Sequence, residues 1–194
     1  VANVLWRSGR AYDLFSDRDA SWRFGIGIGY DVLRLPESLV FALEAGFLHE
    51  PAHGDDLEPV AGGLSGSLSA STIHLGPSLR WELTPWLAPY GRLQLLATST
   101  TVDITAGGSY PPMSWTHQKW SPGASCGLGV MANLPPRNPV NVGLLIEGGI
   151  WLQRGFDLQL ERELPRDAIA TAGARIGALE NTGPYLRVAG VLRF

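Results

Sequence analysis

The chain has 194 residues, 17% of them charged, and a formal net charge of −3. That length suits one domain spanning residues 1–194, and so low a charged fraction falls below the roughly 25% usual in soluble domains. No run of about 18 apolar residues occurs, which excludes a transmembrane helix, and no basic cluster points to nucleic acid. No signal sequence is visible at Val1, as expected of a mature or trimmed chain. Residues 1–19 are a first strand or a lead-in, with Asn3–Phe15 as the strand and Ser16–Asp19 as a turn. From Trp22 the pattern is plain. Trp22, Phe24, Ile26, Ile28, Tyr30 and Val32 alternate with Arg23, Gly25, Gly27, Gly29 and Asp31, which is a strand with two unlike faces.

Leu35–Ser38 turns the chain, and Leu39, Phe41, Leu43, Ala45 and Phe47 then oppose Val40, Ala42, Glu44 and Gly46. His49–Ser67 reads as a long polar, glycine-rich loop. Ile73, Leu75, Leu79, Trp81 and Leu83 form the apolar face of a further strand, opposite His74, Ser78, Arg80 and Glu82. A short turn at Thr84–Trp86 leads to Leu87, Gly91, Leu93 and Leu95, which alternate with Tyr90, Arg92 and Gln94. Thr98–Gln118 reads as a second long loop. Trp120–Val130 is a strand with a small-residue face, and Pro135–Pro139 breaks the chain. Val140, Val142, Leu144, Ile146, Ile150 and Leu152 then face away from Glu147, Trp151 and Gln153. The alanine-rich stretch Arg166–Leu179 is read as a strand with Arg175 inward, in preference to a short helix.

In the last stretch, Phe194, Leu192, Gly190, Val188 and Leu186 alternate with Arg193, Val191, Ala189, Arg187 and Tyr185. This apolar register ending on an aromatic residue resembles the closing strand of small bacterial outer-membrane β-barrel proteins of eight to ten strands. The resemblance implies an all-β, antiparallel, up-and-down transmembrane β-barrel in the outer membrane of a Gram-negative cell envelope. Such barrels carry short periplasmic turns, long outer loops, an apolar outer face and a polar interior. The clear strands number eight; Asn3–Phe15 and Phe156–Glu163 raise the count to ten, which returns both ends to the periplasmic side. Ten is the expected count and eight the alternative.

On that reading the charged faces form a lumen network of Arg23, Glu44, Arg80, Glu82, Arg92, Glu147, Arg175 and Arg187. Asp157 and Glu161 on the added strand bring the interior near balance, as a confined lumen requires. Trp22 and Trp120 mark one membrane interface, and Trp81 and Trp86 the other, with Phe194 as a further interfacial aromatic. The implied partners are outer-membrane lipid and lipopolysaccharide, the barrel-assembly machinery during insertion, and a protein at the long loops. The expected role is structural or surface-interacting, with a closed, charge-paired lumen. The alternatives are a lipid-modifying outer-membrane enzyme, a narrow pore, or a soluble lipocalin-like binding barrel.

No catalytic residue and no cofactor is assigned. Cys126 is the single cysteine, so neither an internal disulfide nor a cysteine-based metal site is available; its register makes it a small outward-facing residue. His49-Glu-Pro-Ala-His53 matches a zinc-protease motif literally, but Pro51 breaks the helix that the motif needs. Asp55 and Asp56 are the weak loop candidates for a loosely held cation. Gly25–Gly29 lacks the following helix of a phosphate loop. His74, Ser78 and Glu82 share one face, but at roughly 13 Å between fourth neighbours they do not reach one another.

Overall fold

A computed structural model of the chain describes residues 1–7, 20–56, 64–106, 113–134, 141–160, 174–179 and 181–193. Ten strands occur among them: β1 (Ala2–Trp6), β2 (Ala20–Leu35), β3 (Leu39–Asp56), β4 (Leu64–Trp81), β5 (Leu87–Ala106), β6 (Met113–Asn133), β7 (Asn141–Gln153), β8 (Phe156–Leu160), β9 (Ala174–Leu179) and β10 (Gly183–Arg193). Eight of them close an antiparallel barrel in the order β1-β10-β7-β6-β5-β4-β3-β2, while β8 and β9 pair only with each other. The barrel therefore has eight strands, not the ten expected. The first strand is real but short, and the stretch read as a barrel strand around Arg175 belongs to a hairpin outside the closed sheet. Parity survives, because β1 joins the barrel as β9 leaves it. The end of β10, where Arg193 pairs with Asn141, lies with the short turns.

Two expected loops are largely strand. β3 continues to Asp56 and β4 begins at Leu64, paired from Leu39↔Trp81 up to Asp56↔Ser65. β5 and β6 stay paired as far as Ala106↔Met113. Their polar, serine- and threonine-rich composition hid a second alternation. On β5 the outward residues run Leu93, Leu95, Ala97 and then Ser99, Thr101, Asp103, while the inward ones run Tyr90, Arg92, Gln94 and then Val102, Ile104. β4 repeats the exchange, with Ile73, Leu75 and Leu79 outward below Ser67, Ser69 and Ser71, and Leu68 inward above Thr72, His74 and Ser78.

The molecule thus has two zones along its axis. Near the short turns the outside is apolar, and the inside combines charged side chains with a buried layer of Ala88, Tyr90, Met131, Leu145 and Ala189. Near the long hairpins the outside turns polar and the inside apolar, as in a water-soluble sheet. Leu68, Val102, Ile104, Phe156 and Leu179 form the buried cluster of the second zone, with Trp115 packed against it. Phe156 and Leu179 come from the β8–β9 hairpin, which is why that hairpin sits over the barrel instead of entering its wall.

β1 closes only the half of the barrel nearest the long hairpins. Its ladder ends at Ala2↔Val188 and Ala2↔Phe24, with one further pair of backbone bonds between Val1 and Gly25. Between Ile26–Leu35 and Ala189–Arg193 no ladder is formed among the described residues.

Candidate functional site

Alternation at period two sends every second side chain of the apolar-walled zone into the interior, and the strands' stagger stacks these into three charged groups. Nearest the long hairpins, Glu50 is fully buried and ion-paired to both Arg7 and Arg23, the latter at 3.0 Å. The Arg23 guanidinium also stacks 4.6 Å from the centre of the Trp151 ring, an arrangement that suits its planar charge. Here Glu50, expected in a loop, proves to be an interior carboxylate, placed by the longer run of β3.

The middle group centres on Glu147, which is 1% exposed. Arg92 Nε donates to its Oε1 at 2.6 Å, Arg187 Nη1 donates to its Oε2 at 3.3 Å, and the Tyr185 hydroxyl donates to Oε1. Glu44 lies 3.9 Å from Arg92 on the far side. Two arginines face two carboxylates, so this group balances internally. Leu5, Leu48, Leu96, Trp151 and Tyr185 form an apolar layer towards the first group. Gly127 and Gly149 leave the room that the Tyr185 ring and the Glu147 carboxylate occupy.

At the short-turn end, Arg80 bridges Asp31 at 3.0 Å and Glu82 at 3.3 Å, and Arg193 reaches Glu82 at 3.0 Å from the end of β10. Arg34, opposite the inward Val40 and exposed at the barrel mouth, lies 3.5 Å from Asp31. Burial alone would raise the Glu82 carboxyl, but the Arg193 hydrogen bond and the charges of Arg80, Arg193 and Arg34 outweigh it and hold it below its ordinary value of 4.5.

Of the residues expected in the lumen, Arg23, Glu44, Arg80, Glu82, Arg92, Glu147 and Arg187 are brought into these three groups. Arg175 is not: its backbone pairs with Gln159 on the separate hairpin, and its side chain lies outside the described residues. Asp157 is exposed on that hairpin as well; the further interior carboxylate is Glu50, which faces two arginines, Arg7 and Arg23. Arg7 and Glu50 carried no signal of their partnership, because the pair spans 43 positions.

On the outer surface, Trp22 and Trp120 stand exposed where the apolar wall meets the polar hairpins, and Trp81 and Trp86 stand exposed at its opposite edge. At roughly 3.3 Å per residue and a strand tilt of about 40°, the apolar run of β5 from Leu87 to Ala97 covers about 25 Å of height. Phe194 lies outside the described residues.

The remaining candidates are dispersed. His49 sits on the outward face of β3 and its Nδ1 shares a hydrogen bond of 3.1 Å with Ser71 Oγ; the His-Glu-x-x-His match is on a strand. Asp55 and Asp56 are strand residues of β3, opposite Gly66 and Ser65, where a cation-binding loop was expected. Among the described residues no cluster of metal-ligating side chains occurs. Cys126 is exposed on the outward face of β6. The sequence matches no protein-family model and no curated protein.

Proposed function

We propose that the chain is an integral outer-membrane β-barrel whose interior is locked by paired charges, and that it serves a structural or surface-interaction role. One observation carries this reading: the outward faces of seven barrel strands, β2 to β7 and β10, turn apolar over the same height, and the short β1 meets only the edge of that band nearest the long hairpins. Ile26, Ile28, Tyr30, Leu95 and Leu128 are each more than 70% exposed there. A soluble barrel would leave that continuous apolar wall in water, far beyond the few hundred Å² of patch common on monomers. In a bilayer the same wall replaces water with hydrocarbon, and the height of about 25 Å fits the apolar band of outer-membrane barrels. Tryptophans at both edges match the two interfaces. The interior then needs its arginines paired, because a lumen of eight strands leaves only enough width for side chains.

Cys126 provides the test, since it is the single cysteine and lies on the wall between the tryptophan edges. In detergent-free buffer the protein should aggregate. Reconstituted into lipid vesicles, it should keep its β-sheet spectrum while Cys126 resists a charged, water-soluble maleimide that modifies it after denaturation. A protein that stays monodisperse without detergent and reacts at the rate of a free thiol would be a soluble barrel instead.

A further inference from the structure

β6 outruns its neighbour. β5 pairs with it along its whole length to Met113, whereas β7 stops at Gln153↔Gly123. One more backbone bond follows, from Arg154 N–H to Pro122 O at 3.1 Å, and the chain then bends into β8, whose partner is β9. That last bond fixes the parity. The even-numbered residues of β6 present their backbone groups to the β7 side, so Ser114, Thr116, Gln118 and Trp120 hold N–H and C=O groups that no described strand takes up.

Two of the usual protections of a free edge, proline and an edge lysine, do not operate here among the described residues. No proline lies between Met113 and Ser121. Lys119 does not guard the edge from outside, because its Nζ lies 5.5 Å from the centre of the Phe156 ring, on the inner side of the sheet. The outward side chains lean the other way: Thr116 Oγ1 donates to Asp103 Oδ1 at 2.6 Å, and Gln118 Nε2 donates to Ser99 Oγ at 2.9 Å, both on β5. Behind the edge, Phe156 packs near His117, and Trp115 rests on the buried cluster. Among the described residues the edge is therefore backed by packed side chains and has no partner strand.

We propose that this edge is a docking site for an extended segment of another protein, which adds as a strand antiparallel to β6 in the line that β7 vacates. Strand addition supplies main-chain hydrogen bonds for affinity and alternate side-chain positions for selectivity. The selectivity is legible here. The occupant's inward side chains meet Trp115, Lys119 and Phe156, and Lys119 has no carboxylate partner among the described residues. The site therefore selects apolar inward residues with one acidic residue opposite Lys119, and polar outward residues beside Thr116 and Gln118. This inference rests on the ladder alone and stands whether or not the wall below lies in lipid.

The probe is a synthetic peptide of about nine residues, or roughly 30 Å when extended, alternating threonine and valine with one glutamate among the valines. With the whole protein in detergent, fluorescence anisotropy should show saturable binding. Amide exchange at Thr116, Gln118 and Trp120 should be fast in the free protein and slowed at least about tenfold by the peptide. Gln118→Pro removes an N–H on the free side only and should abolish binding; Gln118→Val, which loses the Ser99 contact but keeps the N–H, should retain it. A peptide with lysine in place of glutamate should bind about tenfold more weakly, because the exposed charge pair with Lys119 is lost and a like-charge repulsion takes its place. Slow exchange at these amides in the free monomer would overturn the proposal, as would binding indifferent to Gln118→Pro. Concentration-dependent dimerisation that Gln118→Pro abolishes would assign the edge to a second copy of this chain instead.

Discussion

Replacing Glu147 with alanine is the sharpest test of the locked interior. The side chain is fully buried and holds Arg92, Arg187 and Tyr185 together. Its removal leaves the Arg92 guanidinium, 2% exposed in its side chain, with Glu44 alone at 3.9 Å. Arg187 is left with no carboxylate in reach among the described residues. Breaking a buried pair in this way costs about 3–5 kcal/mol, most of it the stranded charge. At about 2–4 °C per kcal/mol for a chain of this size, the unfolding temperature should fall by roughly 6–20 °C. Trp151, set edge-on against Tyr185 with 6.3 Å between ring centres, reports on this layer. The assay is thermal or urea unfolding in detergent, followed by tryptophan fluorescence. Asp103→Ala, which removes an exposed carboxylate on the polar hairpin, should shift the midpoint by less than about 0.5 kcal/mol. Glu147→Gln keeps an acceptor and should fall between the two. An alanine variant as stable as Asp103→Ala would refute the argument that the charge is dry and closely coupled.

Three further outcomes are expected. Gly127→Ala places a methyl group against the Glu147 carboxylate and the Tyr185 hydroxyl, an overpacking that should cost about 1–3 kcal/mol in the same unfolding assay. The depressed Glu82 carboxyl contributes stability that is fully present above its unfolded value of 4.5 and is lost as pH falls through its lower folded value; unfolding midpoints taken across that acid range should drop less steeply for Glu82→Gln than for the parent. In planar bilayers the parent should pass no steady single-channel current, the outcome that the proposed charge-locked interior requires; reproducible conductance steps would show a water-filled path instead.

How much of this was legible before folding depends on the range of each interaction. The two-faced strands from Trp22 to Val32, Leu39 to Phe47 and Tyr185 to Arg193 were readable because side-chain direction alternates residue by residue, and no distant partner is needed to set it. For the same reason the inward placement of Arg80, Arg92, Glu147 and Arg187 followed from register alone. The hairpins beyond the apolar wall were misread, since Ser65–Ser71 and Ser99–Thr105 carry most of their polar residues outward, Thr100 excepted, and their few large apolar ones, Leu68, Val102 and Ile104, inward. That inversion looks like loss of pattern unless the end of the wall is known. Strand count was likewise a tertiary decision. Phe156–Leu160 and Ala174–Leu179 have strand composition, but only the buried seat of Phe156 and Leu179 over Leu68 and Ile104 draws them out of the barrel. Which charges meet was decided last, by the stagger of neighbouring strands: Glu50 reaches Arg7 and Arg23, and Glu147 reaches Arg92 and Arg187, across separations on which local sequence exerts no constraint.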